Sequence, residues 1–122
     1  MSVRLGVVSF LNSRPLVYSL QHDERFALTY SVPSRCAVDL QMRRAGVGLI
    51  PSVEYARSAD PYKIVPGLAI AATGPVLTVR LYHAMPLVEV RRVALDTSSR
   101  TSASLIKILL RERYGFEPVW VN

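Results

Sequence analysis

The stretch RLGVVSFLNSRP, residues 4–15, joins a nearly continuous apolar run to the start of a helix. Such a run is typical of a parallel strand that is covered on both faces. Asn12 or Ser13 is well suited to cap the helix that follows, and Pro15 suits its first turn. The stretch therefore predicts a buried strand that leads directly into a helix.

The same order of elements continues as far as residue 57. Strands are expected at 26–32 and 46–50, and helices at about 35–44 and 52–57. Ser34 and Ser52 are the expected caps of these two helices. Strands that alternate with helices favour an α/β fold with a parallel sheet.

The second half of the chain has a different pattern. Further strands are expected at 62–65, 68–72, 76–82, 93–95 and 118–121, with a loop at 86–90. At 76–82 the residues Leu77, Val79 and Leu81 alternate with a second, more polar set. Such alternation is typical of a half-buried strand. An amphipathic helix is expected at about 101–114, and Gly115 suits its C-cap.

Composition excludes several classes of protein. Half of the 122 residues are apolar and 20% are charged, which is too hydrophobic for a disordered chain. The formal net charge of +6 suits an anionic partner. The basic residues form only short clusters, so we expect a small acidic ligand and no nucleic acid.

Neither a metal nor an organic cofactor is expected. The chain has one cysteine and two histidines, and neither histidine has ligand-type neighbours at metal-site spacing. No glycine-rich phosphate-binding motif is present, and Gly46 and Gly48 indicate close packing within a strand. The apolar runs are too short for a membrane helix and no signal peptide is visible, so we expect a cytoplasmic protein that does not enter a membrane.

Polar segments follow three of the predicted strands, at 9–14, 51–52 and 96–102. Ligands of open α/β sheets bind beyond the carboxyl ends of strands. The last segment places five hydroxyl residues at the start of a strong helix, which suits a carboxylate. The alternative is ordinary capping by one of them. These residues are Thr97, Ser98, Ser99, Thr101 and Ser102.

The segment after the first strand offers a similar cluster of Ser9, Asn12, Ser13 and Arg14, for which the alternative is again a capped loop. The side-chain amide of Asn12 can both donate and accept a hydrogen bond. Thr78 is expected in the middle of a strand, where a packed or solvent-facing β-branched residue is the alternative to a functional hydroxyl.

Four segments together resemble one family. They are VSFLNSRPL (8–16), VGLIPSVEYA (47–56), LAIAATGPVLTV (68–79) and VALDTSSRTS (93–102). In this order they resemble the N-terminal portion of the MqnA family of menaquinone biosynthesis proteins. The segment before Val47 departs from the family pattern, which is generally more acidic and slightly longer there.

The resemblance implies an α/β fold of the type II periplasmic-binding-protein class, with two lobes and the ligand in the cleft. Residues 1–85 would be most of lobe one and residues 86–122 the start of lobe two. Members of the family are more than twice as long as this chain. We therefore expect the isolated chain to be inactive or very weak, and either to self-associate or to need a complementing chain.

The activity implied is that of a chorismate dehydratase, a carbon–oxygen lyase (hydro-lyase). It removes water from the dianion chorismate to give 3-[(1-carboxyvinyl)oxy]benzoate in the futalosine route to menaquinone, with no cofactor and no metal. The resemblance implies catalytic roles for Asn12 and Thr78, the latter standing where the family usually has Ser. The catalytic base is not identified, and the substrate's own carboxylate could serve.

The resemblance also implies a set of substrate-binding residues. Those that would hold a carboxylate are Thr97, Ser98, Thr101 and Ser102, and the others near the substrate are Ser9, Ser52 and Gly74. The alternatives are a non-catalytic solute-binding module for small anions and the related dihydroxynaphthoate synthase. A DNA-binding effector domain is disfavoured, because no helix-turn-helix segment precedes residue 1.

Overall fold

A computed structural model describes residues 2–122 of the chain. Its helices and strands are β1 (Val3–Val8), α1 (Arg14–Val17), β2 (Phe26–Ser31), α2 (Pro33–Gln41), β3 (Val47–Gly48), α3 (Ser52–Arg57), β4 (Arg92–Ala94), α4 (Arg100–Tyr114) and β5 (Val119–Val121). Short 3-10 turns occupy Leu11–Ser13, Tyr18–Leu20 and Leu87–Glu89. The chain forms two compact units, the first ending at Ala71 and the second spanning Ala72–Asn122.

The first unit contains a three-stranded parallel sheet in the order β2-β1-β3. Six residue pairs join β1 to β2, from Val3 opposite Phe26 to Val8 opposite Ser31. Only Leu5 and Gly6 of β1 pair with β3. The α/β fold with a parallel sheet is therefore confirmed, although the third strand is shorter than the predicted 46–50.

Both faces of the central strand are covered, as its apolar run predicts. Leu5 and Val7 form a buried cluster with Val17 of α1. On the other face a Cβ atom added to Gly6 would lie 3.8 Å from Cβ of Cys36 in α2. The missing side chain of Gly6 thus lets α2 pack close against the sheet.

The two predicted serine caps are wrong. Helix α2 begins at Pro33, and the carbonyl oxygen of Val32 accepts from the N–H groups of Arg35 (3.0 Å) and Cys36 (3.1 Å). Proline has no N–H to leave unsatisfied, so it is favoured in the first turn and places the cap one residue before itself. The cap position of α3 is likewise taken by Pro51, and Ser52 is the first helical residue.

The second unit contains the parallel pair β4–β5, which α4 connects. Val93 and Leu110 are buried, which places an apolar residue of α4 in the small core of this unit. Gly115 ends α4 at φ +72°, and the N–H of Phe116 donates to the carbonyl oxygen of Leu110 at 3.2 Å. This is the left-handed cap that the position of the glycine predicts.

The strands predicted at 62–65, 68–72 and 76–82 are wrong: no strand forms there. Alternation selects two side-chain faces, but a strand also needs a neighbouring backbone to pair with. No strand within residues 2–122 pairs with this segment. Val76, Leu77 and Val79 are all exposed, so neither face of the predicted strand is packed. The predicted lobe boundary after residue 85 stays a prediction.

Candidate functional site

The loops after the three strands of the first unit meet at one edge of its sheet, because the strands are parallel. The loop after the central strand lies between the other two. The N–H of Ser9 donates to the carbonyl oxygen of Ser31 at 2.8 Å, and the N–H of Leu49 donates to that of Gly6 at 2.9 Å. Polar groups of residues 9–14 therefore share an edge with the start of α3.

Ser13 does not belong to a ligand-facing cluster. Its side chain is fully buried, and its hydroxyl donates to the carbonyl oxygens of Val8 and of Phe10, the latter at 2.7 Å. Ser13 occupies the N-cap position of α1 without making a side-chain cap bond. The hydroxyl holds the turn out of β1, since buried carbonyl groups need a donor.

Asn12, the predicted catalytic residue of this loop, is exposed in the 3-10 turn between β1 and α1. Ser9 is exposed as well. Within residues 2–122 neither side chain makes a hydrogen bond, so both are available to a ligand at the sheet edge. The buried Ser13 beside Asn12 fixes the backbone that carries the amide.

Ser52 lies at the same edge. Two residues, Leu49 and Ile50, continue the line of β3 before Pro51 ends it. Ser52 is exposed as the first residue of α3. The structure therefore brings Ser52, Ser9 and Asn12 to one side of the first sheet, as the sequence predicts for segments that follow parallel strands.

Arg14 stands out at this edge, although the sequence yields it only as one member of a polar cluster. Its guanidinium carbon lies 4.7 Å from the centre of the Tyr30 ring, at the end of β2. The side chain also borders an open depression of about 530 Å³, lined otherwise by Leu11, Pro15 and Tyr18. A cation–π contact between two distant residues has no local signal in the sequence.

In the loop before α4, the carboxylate of Asp96 is bound by donors of the same loop. A carboxylate oxygen of Asp96 accepts from the N–H (2.8 Å) and the hydroxyl (2.7 Å) of Ser98. These hydrogen bonds lower the pKa of Asp96 below its ordinary value, the side-chain bond most. The Asp-x-Ser spacing is the signal that would have predicted this turn.

The other hydroxyls of this loop and of the first turn of α4 belong to Thr97, Ser99, Thr101 and Ser102. The Ser99 hydroxyl donates to that of Ser102 at 2.8 Å, so these two serines contact each other at the first turn of α4. Thr97 is exposed, and Thr101 is half-buried in that turn. The hydroxyls of Ser98, Ser99 and Ser102 thus take part in hydrogen bonds around the start of α4. The predicted carboxylate-binding role of Thr97, Ser98, Thr101 and Ser102 stays a prediction.

Thr78 and Gly74 lie in the part of the second unit that has no strands. Thr78 is in a turn with Leu77, not in the middle of a strand as predicted, and is exposed. The guanidinium of Arg80 donates to the carbonyl oxygen of Leu77 at 2.7 Å and closes this turn. Gly74 lies in a bend with open space around it. Their roles at a substrate stay predictions.

The described residues hold neither a metal-binding cluster nor a reactive thiol. Residues 2–122 contain no group of three His, Cys, Asp or Glu side chains that could hold a metal ion. Cys36 is buried, and burial raises the pKa of its thiol, so it stays protonated and weakly nucleophilic. Over the same residues no helix has the length and apolar character that crossing a bilayer requires.

Comparison with known proteins agrees with the motifs in the sequence. Residues 3–122 match the profile of a family described as menaquinone biosynthesis. A chorismate dehydratase of Thermus thermophilus is 34% identical over 108 residues, which cover 88% of this chain and 40% of that relative. The chain thus spans about two fifths of the length of the curated relative it matches. Since the family profile covers nearly every residue, this chain belongs to the menaquinone biosynthesis family.

Proposed function

We propose that a protein containing this chain is a chorismate dehydratase, a hydro-lyase that converts chorismate into 3-[(1-carboxyvinyl)oxy]benzoate and water. The observation that carries the proposal is the 34% identity to the Thermus thermophilus chorismate dehydratase over 88% of the chain. The net charge of +6 supports it, because chorismate is a dianion.

The reaction asks more of positioning than of chemical activation. A ring proton is removed, the bond between ring carbon and the 4-hydroxyl breaks, and proton and hydroxide leave as water. The ring becomes aromatic, which supplies a large driving force. Holding the substrate in a reactive orientation therefore accounts for much of the catalysis, and no cofactor or metal is needed in the proposal.

Asn12 is the residue proposed to contact the reacting part of chorismate. Its amide is exposed at the sheet edge, and the buried hydroxyl of Ser13 holds the turn that presents it. A neutral amide can donate to a leaving hydroxyl or accept from it without introducing a charge. Ser9 and Ser52, exposed at the same edge, are proposed to line the site.

Further residues are proposed to act on the substrate because of the family resemblance. The hydroxyl of Thr78 is assigned to catalysis, and Gly74 permits close approach of the substrate because nothing lies within 4 Å of its missing Cβ. The residues proposed to bind a carboxylate are Thr97, Ser98, Thr101 and Ser102. The exposed position of Thr97 supports this assignment.

The complete fold is proposed to be of the type II periplasmic-binding-protein class, in a cytoplasmic protein. The parallel sheet β2-β1-β3 and the β4-α4-β5 unit support this fold class, because parallel strands joined by helices are typical of an α/β lobe. Residues 1–85 would form most of lobe one and residues 86–122 the start of lobe two. Because the chain spans 40% of the relative, the isolated chain is proposed to self-associate or to require a complementing segment for activity.

The test is to incubate purified protein with chorismate and to follow the loss of one water by mass spectrometry. Two proteins are compared, this chain alone and the same sequence extended to the length of the curated relative. We expect product from the extended protein and little or none from the chain alone. Binding of chorismate by the extended protein without product would contradict the dehydratase and favour a solute-binding module.

A further inference from the structure

Arg14 is held in place by an aromatic ring. Its guanidinium carbon lies 4.7 Å from the centre of the Tyr30 ring, so residue 14 at the start of α1 is anchored to the end of β2. A guanidinium that stacks on a ring uses its flat face. The N–H donors lie in the plane of the group and stay able to bind a planar anion.

The surroundings of Arg14 differ from those of the arginines that form ion pairs. Carboxylates of the chain pair with Arg25, Arg35, Arg44 and Arg111. By contrast, no carboxylate or carbonyl group within residues 2–122 accepts a hydrogen bond from Arg14. Because Arg14 is exposed, its donors are accessible to a ligand at the carboxyl edge of the sheet.

An apolar surface lies directly beside these donors. The depression of about 530 Å³ is lined by Leu11, Arg14, Pro15 and Tyr18. Leu11 and Tyr18 are large apolar side chains that are 86% and 77% exposed. A single cation bordering an apolar depression suits a ligand that carries a carboxylate on an apolar body.

We propose that Arg14 binds a carboxylate of the substrate and acts as a specificity residue for anionic ring compounds, with the ring against Leu11, Pro15 and Tyr18. The identity of the substrate rests on the proposed function, whereas the preference for a ring carboxylate rests on Arg14 itself. Stacking on Tyr30 orients the guanidinium in advance, so less conformational entropy is lost when the carboxylate binds.

The probe for this proposal is sodium benzoate, with benzamide as its neutral counterpart, titrated into the isotope-labelled chain and followed by NMR. We expect benzoate to shift the signals of Arg14 and Tyr18, and Arg14→Gln to weaken benzoate binding by about tenfold, the size of a lost charge-assisted hydrogen bond. Arg14→Lys keeps the charge but loses the planar donor pair, so its loss should be intermediate. Benzamide should bind more weakly than benzoate, and equally well to the unchanged chain and to Arg14→Gln.

The matched control is Arg4→Gln, which removes the same charge at the opposite end of β1. Equal losses in Arg14→Gln and Arg4→Gln would show a net-charge effect and overturn the proposal. So would a chain that does not bind benzoate, or one whose affinity Arg14→Gln leaves unchanged.

In the extended protein, Arg14→Gln should raise KM for chorismate more than it lowers kcat. This arm separates the two proposals. If no chorismate is dehydrated but benzoate binding still depends on Arg14, the proposed function fails and the carboxylate site stands. If product forms but Arg14→Gln leaves benzoate binding unchanged, the proposed function stands and the carboxylate site at Arg14 fails.

Discussion

The hydroxyl of Ser13 donates to the carbonyl oxygen of Val8, so a side chain in the turn ties itself back to the last residue of the central strand. Ser13 is completely buried, and its hydroxyl also donates to the carbonyl oxygen of Phe10. This contact fixes the path of the chain between β1 and α1, where the exposed amide of Asn12 is carried.

Ser13→Ala should therefore destabilise the first unit. The carbonyl oxygen of Val8 loses its buried hydroxyl donor, which costs about 1–3 kcal/mol, whereas that of Phe10 still accepts from the N–H of residue 13 at 3.1 Å. The free energy of unfolding in urea, with an unchanged m-value, is the measurement. Ser19→Ala is the control, because Ser19 is exposed in the neighbouring 3-10 turn. Equal stability of the two variants would show that the buried hydroxyl contributes nothing.

Asn12→Ala should remove turnover and largely spare binding. Loss of a hydrogen-bonding group that acts in the transition state costs about 10²–10³ in kcat. Steady-state kinetics with chorismate on the extended protein would show a fall in kcat with KM little changed. Asn122→Ala provides the control, since Asn122 is the other asparagine of the chain and is exposed. A kcat that survives Asn12→Ala would remove Asn12 from the mechanism.

Gly115→Ala should destabilise the second unit by about 1–2 kcal/mol, because Gly115 ends α4 at φ +72°, a conformation that an L side chain resists. The comparison is Gly74→Ala. Neither glycine has an atom within 4 Å of a built Cβ, but only Gly115 has a positive φ. Thermal unfolding of both variants isolates the backbone effect from any steric clash. Matching melting temperatures would contradict the left-handed cap.

Because of the Asp23–Arg25 ion pair, the free energy of unfolding should decrease at acid pH. The Arg25 side chain lies 2.6 Å from a carboxylate oxygen of Asp23, and its hydrogen bonds lower the pKa of Asp23 to about 2. A carboxyl whose pKa is lower in the folded state stabilises the fold above its unfolded value of about 3.9. That contribution is lost as the pH falls from about 4 to about 2.

Carboxyl NMR titration of Asp23 measures this directly. Arg25→Gln should return the pKa of Asp23 towards its ordinary value, and Arg57→Gln, an exposed arginine in the last turn of α3, should leave it unchanged. An unchanged Asp23 titration in Arg25→Gln would mean that the ion pair does not form in solution.

Local sequence signals predict those helices and strands whose ends are set by residues only a few positions away. The apolar run of β1, Pro15 in the first turn of α1 and Gly115 after α4 act through the chain's own steric and hydrogen-bonding limits, and all three are confirmed. The predicted Ser34 cap is wrong for a related local reason. Proline is favoured in the first turn of a helix, so α2 begins at Pro33 and Val32 is its N-cap. The positions of Ser9, Asn12 and Ser52 beyond the carboxyl ends of parallel strands are also predicted from strand order.

Contacts between distant residues were decided by the tertiary structure alone. Whether residues 76–82 form a strand depends on a pairing partner, which no local alternation supplies, and no strand within residues 2–122 pairs with them. The contact of Arg14 with the Tyr30 ring depends on how β1 and β2 come together. The sequence by itself determined the parallel α/β order and the loops that could carry chemistry, since periodicity and capping are local. The tertiary structure decided which polar groups are buried and which face solvent, because burial is set by residues far apart in the chain.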